Sequence, residues 1–203
     1  MRKLMVLLAL AAAVPALQGC IPLIAGGAVG AALVATDRRT SGTILEDERI
    51  EVASTREINI KYLDNSHVNV TSFDRTVLLT GEVHDDQIKA DVEKIVRGQP
   101  NVKNVMNELS VSGNSSITSR SSDTLITGKV KARFASENRF APNHVKVVTE
   151  SGIVYLMGMV TPQEGADAAE IASNTSGVLK VVKAFEYIDK DSAKQADTSK
   201  PAK

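Results

Sequence analysis

Between residues 41 and 188 the apolar positions switch repeatedly between a period near four and a period of two. Ile50, Ala53, Ile58 and Tyr62 form a loose stripe at helical spacing, and Val68 and Val70 then alternate with polar neighbours as a strand. Asp74-Arg75 predicts a turn into a returning strand over 77–83. Asp85 predicts the cap of a helix whose inner face is Ile88, Val92 and Ile95. Val105, Leu109 and Val111 mark a closing strand. The same order then returns. Asp123 predicts an N-cap for a helix over 123–137, with Ile126, Val130 and Phe134 at spacing four. Residues 145–149 and 153–160 predict a hairpin around Ser151-Gly152. Thr161-Pro162-Gln163-Glu164 joins a capping box to a proline at the first helical position. Ala168, Ile171 and Ala172 face inward, and Gly177 offers the left-handed residue that stops a helix. Val181, Phe185 and Tyr187 complete the unit.

The two runs superpose. Val68, Val70, Val77, Leu79, Gly81 and Val83 match Val145, Val147, Val154, Leu156, Gly158 and Val160 at a constant offset of 77. After the next helix the offset slips to 76, where Val102, Val105 and Leu109 match Val178, Val181 and Phe185. The chain is an internal duplication. The fold class is α+β: two tandem αββαβ units, each a three-stranded mixed sheet with two helices on one face, the simplest packing that buries every stripe. The expected organisation is a signal peptide over 1–19, a lipidated Cys20 and tether over 20–40, a first domain over 41–113, a linker over 114–122, a second domain over 123–188 and a disordered tail over 189–203. Units of roughly 70 residues are small for independent stability, so the copies are expected to lean on each other.

The N-terminus adds a destination. Arg2 and Lys3 precede an almost wholly apolar run over 4–17, and Leu17-Gln18-Gly19-Cys20 closes it with a small residue before a cysteine. That is the layout of an export signal. It resembles the lipobox of bacterial lipoproteins, in which cleavage before the lipidated cysteine leaves an acyl anchor. An ordinary signal peptide or an uncleaved helix is the alternative. Pro15, Gln18 and Pro22 interrupt the run, which falls short of the ~20 residues of a clean spanning helix. Cys20 is the only cysteine, so no internal disulfide exists, and lipidation accounts for it. By the same resemblance, Ile21 in place of an aspartate points to the outer membrane, with the anchor in its inner leaflet.

The segments 77–83, 145–150 through Gly158, and Gly177-Val178 with Val181-Val182 and Phe185 resemble the BON domain, and the double arrangement behind a lipobox resembles the dual-BON outer-membrane lipoproteins. The resemblance covers nearly all of the chain beyond Cys20. It implies a periplasm-facing lipoprotein that binds anionic phospholipid, phosphatidylglycerol-like, chiefly through the second BON unit, and supports envelope integrity. It also implies a tryptophan on the outward face of the first helix of that unit, where this chain carries Leu125.

Catalytic chemistry finds little support. His67, His84 and His144 lack zinc-ligand spacing, and His84-Asp85-Asp86 reads as a helix start rather than a cation site. No nucleophile elbow or phosphate loop is present, and no cofactor or metal is expected. Gly81 and Gly158 at equivalent positions indicate a backbone packing need. Charge is balanced at 24 basic and 24 acidic residues, and aromatics make up 3%, so no nucleic-acid partner is indicated. Residues 41–113 carry 13 acids and eight bases, a net of −5, whereas 123–188 carry seven of each. Anionic lipid should therefore favour the second unit. At roughly 100° per residue, Leu125 projects away from Ile126, Val130 and Phe134, beside Gly128, Lys129 and Ala132. With Lys131 and Arg133 these form the candidate phospholipid site. Alternatively Leu125 is a solitary exposed residue or packs on the first unit. A second functional reading is an envelope protein-interaction adaptor presenting Glu46, Asp47 and Glu48, with the lipid anchor serving only for placement.

Overall fold

The alternation at Val68 and Val70 becomes strand β1 (Ser66–Phe73), which turns at Asp74-Arg75 into β2 (Thr76–Val83). The computed structural model describes residues 37–62, 66–112 and 117–198; the signal segment, Cys20 and most of the tether lie outside the described residues. Helix α1 (Ser41–Tyr62) precedes the hairpin, and α2 (Asp86–Arg97) follows it. Asp85 caps α2 as expected, its side chain accepting from Ile88 N at 2.7 Å. The closing strand runs parallel to β2 in two pieces of one register, β3 (Asn104–Asn107) and β4 (Ser110–Val111), interrupted at Glu108-Leu109. The second copy repeats this with α3 (Ile117–Glu137), β5 (Lys146–Glu150), β6 (Ile153–Val160), α4 (Pro162–Ser173) and β7 (Lys180–Tyr187). In each sheet the second hairpin strand is central, antiparallel to the first and parallel to the last. These are the two mixed sheets that the pattern required.

One face of each sheet packs on its own helices. Ile50 and Ile58 meet Val77, Leu79, Val92 and Val96 in the first core; Ile126, Val130 and Phe134 meet Val154, Leu156, Ala168 and Ile171 in the second. On α1 the buried stripe is Ile50, Ser54 and Ile58, whereas Ala53 is exposed: strict spacing of four holds the helix against a flat sheet. The other faces of the two sheets pack on each other, through Phe73 and Leu78 against Tyr155 and Met157. The two described domains are therefore layered helices, sheet, sheet, helices. Burial of both faces matches the uninterrupted apolar run of β6, Ile153-Val154-Tyr155-Leu156-Met157.

Three expectations change. Helix α3 begins at Ile117, six residues before Asp123, so Asp123 is not its N-cap and residues 117–122 are helix rather than linker. The tail is not disordered over its described part: α5 (Lys190–Thr198) forms there, with Ala193 buried and Asp197 bonded to Arg38. Helix α4 already ends at Ser173; Gly177 takes its φ of +99° in the turn that follows. The start of α4 is as read, with Pro162 in the first turn and the reciprocal Thr161–Glu164 capping box. Among the described residues no helix is long and apolar enough to cross a membrane.

Candidate functional site

The outward face of α3 is set by what its inward face must hold. Ile126, Val130 and Phe134 are buried, and Asp123 beside them is only 6% exposed. Its carboxylate accepts from Ser151 N at 2.9 Å and Gly152 N at 2.8 Å, gripping the turn of the second hairpin. Asp47 does the same in the first copy, accepting from Asp74 N, Arg75 N and Ser72 Oγ at 2.6–2.9 Å. The central residues of both turns have positive φ, 46° and 65° for Asp74 and Arg75 and 50° and 75° for Ser151 and Gly152, the mirror-image turn that suits a twisted hairpin. Non-glycine residues are strained there, and the buried aspartates hold them in place. Asp47 is thus an interior clamp, paired also with Arg39 at 2.9 Å, and not part of an acidic docking surface with Glu46 and Glu48. Nothing local in the sequence marks either clamp, because the partners lie 25 to 29 residues downstream.

With that face inward, Leu125 is 65% exposed. Gly128, Lys129 and Ala132 lie around it on the solvent side, and a Cβ at Gly128 would meet nothing within 4 Å. The Lys129 ammonium reaches the Ser176 carbonyl at 3.5 Å along an exposed path. The other two bases diverge. Lys131 is exposed but sits roughly 120° around the helix from Leu125. Arg133 turns inward, donating to Ile171 O at 3.0 Å, Thr175 Oγ1 at 3.3 Å and Glu137 at 2.6 Å. The arrangement is a narrow strip of one leucine, one lysine and small residues, able to press an apolar side chain between headgroups while a cation meets phosphate.

The ionisable groups that the fold collects lie elsewhere. His67, Glu82 and Glu150 come from β1, β2 and β5 and converge between the two sheets, with ligand-capable atoms within 4.8 Å of one another. His67 Nδ1 is 3.3 Å from Glu82 Oε2, and Asn69 Nδ2 donates to Glu150 Oε2 at 2.9 Å. Burial pushes the Glu150 carboxyl up from its ordinary value, and the neighbouring Glu82 charge adds to this against the Asn69 bond. Three strands of two domains supply this cluster, so sequence spacing could not reveal it. Gly81 and Gly158 are packing positions, as their equivalence implied: a Cβ would lie 2.0 Å from His67 O and 2.2 Å from His144 O.

Comparison with known proteins agrees with this architecture. The family model described as BON domain matches twice, over residues 46–113 and 122–189. The chain is 39% identical over 175 residues to the "Outer membrane lipoprotein DolP" of Haemophilus influenzae, covering 85% of this chain and 91% of that protein. It is 29% identical over 154 residues to the "21 kDa hemolysin" of Actinobacillus pleuropneumoniae, covering 75% and 79%. It is also 29% identical over 147 residues to the "Osmotically-inducible protein Y" of Escherichia coli, covering 69% and 72%. With both halves of the duplication matched, the chain belongs to the BON-domain family, as an outer-membrane lipoprotein with two tandem BON domains.

Proposed function

We propose that the protein is held in the outer membrane by a lipid on Cys20, faces the periplasm, and binds anionic phospholipid of the phosphatidylglycerol type through the outward face of α3, in support of envelope integrity. The observation that carries the phospholipid reading is Leu125, 65% exposed beside Lys129 on the domain without excess negative charge. The affinity is weak. One lysine near an anionic surface contributes about 1 kcal/mol, and burial of one leucine adds up to ~2 kcal/mol, before the costs of ordering. We read the protein as a binding module and not an enzyme.

Vesicle flotation of the polypeptide lacking residues 1–20 tests this, because only lipid recognition requires binding without the anchor. Phosphatidylglycerol vesicles should carry the protein weakly, and less so in high salt; neutral vesicles should hardly carry it. Lys129→Glu should lower binding more than Lys131→Glu or Lys94→Glu on α2. Leu125→Trp should strengthen it, since the larger amphipathic ring suits the interface. Binding insensitive to both positions would place the lipid surface on another face. For the anchor, Cys20→Ala should release the folded protein into the soluble periplasm; persistent membrane retention would instead indicate an uncleaved helix.

A further inference from the structure

Helix α1 has a second face that the first domain's core does not use. Leu45, Val52 and Ile60 are 60%, 63% and 77% exposed, and they lie along one shallow groove of about 730 Å³. The groove's remaining α1 residues are Glu48, Arg49, Ala53, Arg56 and Glu57. This stripe reads alike in both directions. Leu45 mirrors Ile60, Glu48 mirrors Glu57, Arg49 mirrors Arg56 and Val52 mirrors Ala53, each pair equidistant from the midpoint between residues 52 and 53. The fold does not demand it. At the offset of 76 that relates Ile50 to Ile126 and Asp47 to Asp123, α3 carries Ser121, Gly128 and Ser136 in place of the three apolar residues, and Leu125 and Ala132 in place of the arginines.

Under a two-fold axis each residue of the stripe meets its mirror position in the other copy, so the apolar positions are self-complementary and the charged ones pair only on the diagonal. We propose that α1 is the dimer interface of this protein: two copies pack their α1 helices antiparallel about the midpoint of residues 52 and 53. Leu45 of each copy covers Ile60 of the other. Val52 and the small Ala53 meet at the axis and let the backbones approach. Arg49, opposite the second copy's Arg56, falls beside its Glu57, and Arg56 falls beside its Glu48, so the two-fold yields four rim ion pairs. Arg49 is free to make them: its contact with Glu46 is a 3.3 Å surface pair, and its side chain is 68% exposed. An anionic bilayer fits the stripe less well, because Glu48 and Glu57 lie within it on a domain of net charge −5.

One helix face buries on the order of 400–500 Å² per partner, against the roughly 800 Å² of a standard stable interface. The dimer is therefore weak in dilute solution and forms where anchoring in one leaflet raises the effective concentration. A two-fold axis normal to the membrane leaves both tethers on the same side. The proposal rests on the lipid anchor for concentration only, not for the interface.

The test is disulfide trapping of the full lipidated chain in cells, with fractionation of the same samples to read anchoring separately. Val52→Cys, at the axis, should give a disulfide-linked dimer about tenfold above Tyr187→Cys, a position of similar exposure at the end of β7. Adding Arg49→Glu and Arg56→Glu should lower trapping to the level of that control by setting like charges across the rim. Adding Glu48→Arg and Glu57→Arg to that variant should restore it, which a merely misfolded protein would not do. Trapping at Val52 no better than at Tyr187 in the membrane fraction, or trapping indifferent to the charge reversal, would overturn the proposal. So would loss of vesicle flotation in Leu45→Ser/Val52→Ser/Ile60→Ser with trapping at Ala53→Cys unchanged, since the occupant would then be lipid.

Discussion

Arg38, three residues before α1, should be a pH-dependent bolt between the segment that leads into α1 and the second domain. Its guanidinium engages all five of its N–H donors: two to Glu164 at 2.8 and 2.9 Å, two to Asp197 at 2.9 and 3.1 Å, and one to Met159 O at 2.9 Å. The Arg38 side chain is 3% exposed, that of Glu164 17% and that of Asp197 40%. Burial alone would raise the Glu164 carboxyl, but the bonds from Arg38 and from Thr161 N outweigh it and hold the group down at about 2. A shift of that size corresponds to about 3 kcal/mol, shared between Arg38 and the capping box. Glu164 keeps its cap in Arg38→Met, and the Asp197 pair is too exposed to add much, so the expected cost at pH 7 is about 2 kcal/mol. Between the ordinary glutamate pKa and about 2, the unfolded chain binds more protons than the folded one. The stabilisation is thus complete above pH ~4.5 and lost as pH falls towards about 2. Denaturant unfolding of wild type and Arg38→Met at pH 7 and near pH 2 should show the difference shrink below ~1 kcal/mol in acid, leaving mainly the Met159 carbonyl bond. A difference that stays constant across this range would refute the assignment of the stabilisation to Glu164 ionisation.

Gly158→Ala should cost at least ~3 kcal/mol or prevent the second domain from folding, because the new methyl would lie 2.2 Å from a backbone carbonyl; Gly128→Ala, whose Cβ is unobstructed, should stabilise α3 by about 0.5–1 kcal/mol in the same thermal scan. Asp123→Ala should destabilise by roughly 2–4 kcal/mol, since it leaves two turn amides without their carboxylate, and amide exchange at Ser151 and Gly152 should accelerate with it. Glu150→Gln keeps an acceptor for Asn69 and removes a carboxylate whose pKa burial raises, so it should stabilise at pH 7, with the gain fading as pH falls to the ordinary glutamate value.

How much of this could be read from the chain follows the range of the interactions. Strand alternation, the Asp85 cap and the Thr161–Glu164 box are local, and they emerged where the pattern put them. Asp47 and Asp123 look like surface or capping acids because their partners, the turn amides, are distant in sequence and carry no side-chain signature. Residues 117–122 looked like a linker because serine and threonine are poor helix formers and no apolar stripe runs through them. Helix α5 is nearly all polar, and its burial rests on Ala193 and on the tertiary Arg38–Asp197 pair. The packing of sheet on sheet did leave a trace. A strand buried on one face alternates, whereas Val77-Leu78-Leu79 and residues 153–157 are apolar at every position. For the strip proposed to bind phospholipid, helical periodicity placed Leu125 and Lys129 together, but it could not show that Arg133 is held by Ile171 and Thr175.

The duplication has kept its interior and let its exterior diverge. Inward positions of α1 and α3 carry equivalent residues, Asp47 with Asp123, Ile50 with Ile126 and Ile58 with Phe134, because each must fill the same gap over the same sheet. Outward positions are free of that demand, and the two helices have become an apolar stripe with arginines on one and a small-residue strip around Leu125 on the other. Since the sheets pack back to back, the two helix layers lie on opposite sides of the stack, and no single flat surface can touch both at once. A membrane in contact with α3 leaves α1 available for another partner. Truncation cannot separate the two proposed roles, because removing either domain uncovers the other's inner sheet face: Leu78 and Phe73 on one side, Tyr155 and Met157 on the other. An isolated domain would expose an apolar patch of the kind that itself drives association with membranes and proteins. The division of labour has to be probed with surface substitutions in the intact pair.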